Sequence, residues 1–134
     1  MKQKLALSLA AMLLSLSAAA ANEPRPPSLG VEASISFPND TTIKTWQADG
    51  EDGIWIQSRQ GGWYYGKFAT ICRDLNFAQG IGIDNRGSSQ LDRFSTILVR
   101  RQRCPLTSFV TSLPPPTKAE LKAAREAEKA AKSN

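Results

Sequence analysis

The stretch that decides the fold is Ile54-Trp55-Ile56-Gln57-Ser58-Arg59-Gln60-Gly61-Gly62-Trp63-Tyr64-Tyr65-Gly66-Lys67-Phe68-Ala69. Ile54 to Ser58 is β-branched and aromatic, and Trp63 to Ala69 is dense in aromatics; both compositions suit a pleated, half-buried surface. Gln60-Gly61-Gly62 between them supplies the conformational freedom of a hairpin turn. Two strands joined this closely must pair antiparallel, and a lone hairpin is not stable in water. Further strands therefore have to flank it.

They are found on both sides. In Val31 to Phe37 the apolar residues Val31, Ala33, Ile35 and Phe37 alternate with Glu32, Ser34 and Ser36, the period of a strand with one buried face. Pro38-Asn39-Asp40 turns the chain into a second strand, Thr41 to Ala48, which carries Trp46. Asp49 to Gly53 is a turn cluster leading to the central hairpin. Thr70 to Ala78 breaks the β pattern and reads as a short helical turn held down by Cys72. Ile81 and Ile83 make a brief strand that ends at Asp84-Asn85-Arg86-Gly87. Phe94 to Val99 is the next strand, Arg100 to Gln102 its polar turn, and Arg103 to Val110 the last strand. Pro105 confines that last strand to an edge or a bulge, because proline cannot donate to a sheet ladder. Six or seven short strands with frequent turns specify an all-β domain, and a small barrel and a sandwich both fit.

The ends of the chain have other compositions. Lys2 and Lys4 precede an apolar run from Leu5, and Ala19-Ala20-Ala21 supplies small residues where a signal peptidase reads. Residues 1–21 are thus expected to be an export signal, with Asn22 the first mature residue. The rival, a retained membrane anchor, is disfavoured because the 17 residues from Leu5 to Ala21 include three serines. No stable membrane insertion is expected after cleavage. Residues 22–28 carry three prolines and read as a flexible lead-in. Residues 29–113 form the β domain. Residues 114–134 begin with Pro114-Pro115-Pro116, a stiff spacer, and continue in alanine and charge. Thr117 and Glu120 match a capping box that opens a helix, but Leu121 is the only large apolar side chain there, so no apolar stripe exists to bind a groove or a bilayer.

Export fixes the meaning of the only two cysteines, Cys72 and Cys104. In an oxidising compartment a lone pair in a small domain reads as a disulfide. A redox-active pair is the alternative, yet such pairs have only two residues between them at a helix start, whereas these have 31. The location implied is the periplasm.

Charge and residue types then limit the function. The chain carries +5, but Lys2 and Lys4 leave with the signal and five cations lie in the tail, so the folded body is nearly neutral. That weakens a nucleic-acid reading. Histidine is absent, which removes Ser-His-Asp and Cys-His nucleophile arrangements and His-ligated metals; two cysteines are too few for a four-cysteine zinc site. Asp49, Glu51 and Asp52 are explained by turn chemistry, so no metal and no cofactor is expected. Asp74, Asp84 and Asp92 are the carboxylates that a small sugar hydrolase would need to converge. Trp55, Trp63, Tyr64 and Tyr65, with Arg59 and Lys67 close in sequence, form the candidate binding surface, although strand alternation must turn about half of the rings inward. The reading favoured is a small, non-catalytic binding module of the cell envelope, its partner an envelope protein or an anionic envelope polymer; the alternative is a carboxylate-dependent hydrolase of cell-wall sugar.

One ordered set of residues adds to this. Trp46, Trp63-Tyr64-Tyr65, Cys72-Arg73-Asp74-Leu75-Asn76-Phe77-Ala78 and Arg103-Cys104-Pro105-Leu106 with Phe109 resemble a family of small exported proteobacterial proteins that constitute a domain of unknown function. The resemblance spans about residues 33–111. It implies export, a compact β domain and the Cys72–Cys104 bond, and it supplies no reaction, ligand or catalytic residue. A second cysteine pair found in many such proteins is replaced here around Ser34 and Leu91-Asp92.

Overall fold

A computed structural model describes residues 28–133. The expected export signal, residues 1–21, and nearly all of the proline-rich lead-in lie outside the described residues. Eight strands follow in order: β1 Ile35–Ser36, β2 Ile43–Asp49, β3 Gly53–Ser58, β4 Trp63–Phe68, β5 Gly82–Asp84, β6 Gln90–Leu91, β7 Thr96–Val99 and β8 Gln102–Ser112. A helix α1, Lys118–Lys132, ends the chain.

Six strands build one antiparallel sheet in the order β2-β3-β4-β8-β7-β5, and β1 pairs with β6 in a second, smaller sheet. The large sheet curls into a half-barrel. Of the two architectures the sequence allows, this is the barrel, left open between β2 and β5. The eleven-residue β8 is its spine, pairing with β7 over Gln102 to Pro105 and with β4 over Leu106 to Ser112. Pro105 therefore stands in a central strand and not at an edge. The tolerated site is a bulge: Lys67 faces Ser108 but Phe68 faces Leu106, and the Ala69 amide donates to the Pro105 carbonyl at 2.8 Å. Proline contributes only the acceptor.

The concave side holds the core, where Ile54, Ile56, Leu75, Leu91, Ile97, Val99 and Phe109 are fully buried with both cysteines. Cys72 and Cys104 are bonded to each other. Their bond pins the expected helical turn, a 3₁₀ segment Arg73–Phe77 with Leu75 in the core. Gln102 clamps the same segment, donating from Nε2 to the Ile71 carbonyl at 2.9 Å and accepting the Asp74 amide at 3.2 Å.

Two strand expectations need correction. In Val31 to Phe37 only Ile35 is buried, and Phe37 is 67% exposed with φ at +50°. The chain here runs beside the end of β8, bridging Glu32 to Val110, with the Thr111 amide donating to the Val31 carbonyl and the Ala33 amide to the Phe109 carbonyl, both at 2.9 Å. It then crosses to β6, so one alternating face is not maintained. Phe94, expected in a strand, is 66% exposed. Asp92 accepts its amide in a tight turn at 2.8 Å, and the strand starts only at Thr96. In the tail, the capping box forms in both directions between Thr117 and Glu120, and no residue of α1 is buried.

Candidate functional site

The register of the central hairpin sorts the candidate residues into two groups. Trp55 pairs with Tyr65 and Gln57 with Trp63; these alternate with the buried Ile54 and Ile56 and so stand on the convex face. Lys67 extends that face. Across it, Gln47, Trp55, Tyr65 and Val110 form one row, and Thr45, Gln57, Trp63 and Ser112 the next. Trp55 and Tyr65 pack with ring centroids 5.2 Å apart at 57°. All three rings are half-buried, and Lys67 is exposed. Tyr65 lies across Gly53, where any Cβ would fall 2.1 Å from its hydroxyl, and it donates to Asp49 Oδ2 at 2.7 Å. Burial, then this hydrogen bond, then the charges of Asp49 and Asp52 hold its phenol well above the usual range.

Tyr64 and Arg59 belong elsewhere. Tyr64 points to the concave side and stacks on Phe109, centroids 5.4 Å apart and planes 11° from parallel. Its other side faces a cleft of about 260 Å³ beside the β3–β4 hairpin, lined also by Ser34, Ser36, Thr41, Ser58 and Arg59. The Arg59 amide donates to the Thr42 carbonyl at 2.9 Å and its Nε to the Asp40 carbonyl at 2.8 Å, which aims the guanidinium. Sequence reasoning found Arg59 and Tyr64 but missed the serines. The signal was present: Ser58 is a hydroxyl at the third inward position of a strand that reads Ile54, Ile56, Ser58.

A second cleft, about 430 Å³, follows the open seam between β2 and β5, with Ile43, Trp46, Ile81 and Ile83 among its lining. The three aspartates of the hydrolase alternative occupy none of these clefts. Asp84 Oδ1 accepts the Arg86 amide at 3.0 Å and Oδ2 is paired with Arg103. The Arg86 amide first, then Arg103, holds its carboxyl below the usual range. Asp92 caps its own turn, and the Asp74 backbone is tied to Gln102. Asp49, Glu51 and Asp52 shape the β2–β3 turn; among the described residues no three metal-ligating side chains are grouped. Among the described residues, too, no helix is long and apolar enough to cross a membrane.

Comparison with known proteins returns no match among curated proteins and none among solved structures. A family-level match covers residues 1–132, and by it the chain belongs to a family of unknown function, DUF6491.

Proposed function

We propose that the protein is exported to the periplasm of a proteobacterial cell and works there as a small, non-catalytic binding module. Its contact surface is the convex face of β3 and β4, and its partner is an envelope protein or an anionic envelope polymer. One observation carries the reading: Trp55, Trp63 and Tyr65 project side by side from the face opposite the core, where folding needs only polar residues. Aromatics are enriched where surfaces bind, and the exposed Lys67 on the same face places a positive charge beside them. Export is supported by the composition of residues 1–21 and by a buried disulfide of the kind reducing compartments do not sustain.

Two measurements test it. N-terminal sequencing of the protein from its host should read Asn22; an intact Met1 overturns export. Cross-linking in cells should then trap one reproducible envelope component with the native protein and lose it with the Trp55→Ala, Trp63→Ala variant. Equal recovery from that variant, or turnover of a cell-wall substrate, overturns the binding role assigned to this face.

A further inference from the structure

The cleft beside the hairpin is built for a different occupant from the convex face. Ser58 is 6% exposed, yet its hydroxyl has no hydrogen-bond partner among the described residues. No polar side-chain atom of the described core is both sealed from solvent and unpaired, so the Ser58 hydroxyl must open into the cleft that it lines. Ser34, Ser36 and Tyr64 line the same space, and their hydroxyls likewise have no partners among the described residues. Thr42, by contrast, is consumed by the turn, donating to the Phe37 carbonyl at 2.8 Å.

The cation is organised as well. Arg59 is held by its amide and its Nε, which leaves both terminal nitrogens of the guanidinium for a ligand. A guanidinium presents paired donors that match a phosphate or carboxylate. No carboxylate side chain lines the cleft to neutralise it. Behind the hydroxyls, the Tyr64–Phe109 stack makes a rigid floor. A fixed cation, four hydroxyls and no acid suit an oxyanion carried on a polyhydroxylated unit. The volume, about 260 Å³, lies below that of clefts that enclose drug-sized molecules, roughly 300–1,000 Å³, and admits a single such unit.

We propose that this cleft is a binding site for one anionic polyol unit, a sugar phosphate or a uronate, with Arg59 taking the oxyanion and Ser58 and Tyr64 the hydroxyls. The site is independent of the convex face: Arg59 and Tyr64 belong to it, and Trp55, Trp63 and Tyr65 do not.

The test titrates the full mature protein with glycerol 3-phosphate, with glucuronate and with glucose, following backbone amide shifts. At least one of the two anions is expected to bind, with the largest shifts at Ser58, Arg59 and Tyr64, and the pair tells phosphate from carboxylate. Arg59→Gln should weaken the binding about tenfold, the scale of one charge-assisted hydrogen bond. Tyr64→Phe keeps the stack on Phe109 and isolates the hydroxyl, so a folded variant with reduced affinity supports the assignment. The Trp55→Ala, Trp63→Ala variant that loses the contact proposed for the convex face should, when its amide spectrum shows it folded, still bind the anion. Binding by neither anion, equal binding of glucose, or loss of binding in that folded variant overturns the proposal.

Discussion

The Tyr65 hydroxyl donates to Asp49 across the β2–β3 turn at 2.7 Å, with Gly53 beneath the ring. This one contact locks the convex row of side chains to the turn that closes it. Replacing Tyr65 by Phe should cost about 0.5–1.5 kcal/mol, the net worth of one such bond, read as a lower urea midpoint. The phenol is held protonated above its ordinary range, so its contribution is complete below about pH 10 and is lost as pH rises further. Thermal melts from pH 9 to 11 should therefore fall more steeply for the native protein than for Tyr65→Phe. Parallel curves would show that the contact carries no stability.

Reducing the Cys72–Cys104 bond should release the 3₁₀ segment. Cys72 and Cys104 are 32 residues apart, and for a loop of that size the chain-entropy estimate gives about 3–4 kcal/mol. Urea titrations with and without reductant should differ by that amount. Because both cysteines are fully buried, the bond in the native protein should also resist reduction by dithiothreitol until the fold opens.

Phe109 should be the costliest single truncation in the sheet. It is fully buried on β8 and is the surface on which Tyr64 lies. Phe109→Ala should destabilise by about 3–5 kcal/mol, measured by denaturant midpoint. The more conservative Phe109→Leu should keep the fold while disordering the Tyr64 ring, visible as a loss of its distinct aromatic resonances.

Asp84 should titrate low. The Arg86 amide and then Arg103 favour its charged form, so its contribution is present above the ordinary carboxylate range and is lost as pH falls through its lowered value. Arg103→Gln should move the Asp84 titration, followed by carboxyl carbon shifts, back toward the ordinary value. It should leave stability at neutral pH nearly unchanged, because the pair is exposed.

Much of this architecture is written locally. The hairpin through Gln60-Gly61-Gly62 is dictated by backbone freedom, and Gly61 does adopt φ of +100°. Thr117 and Glu120 cap α1 by contacts three residues apart. Such signals need no distant partner, and the disulfide was expected from two cysteines read together with an export-like N-terminus. What the sequence could not settle depends on residues far along the chain. Tyr64 and Tyr65 are adjacent and alike, yet one reaches inward to Phe109 and the other outward to Asp49, because pairing with β3 and β8 fixes which face each takes. The alternation in Val31 to Phe37 suggested one buried face, but its first half meets β8 and its second half β6, so only Ile35 is fully taken into the core, Ala33 packs against its edge, and Val31 and Phe37 stay exposed. Ser58 counts as polar in any composition; only the curl of the sheet, which brings Ser34–Ser36 and Thr41–Thr42 beside the hairpin, makes it part of a cleft. Local chemistry chose the strands and their turns. Long-range pairing and curvature chose which side chains meet, because burial is a property of the assembled sheet and not of any one strand.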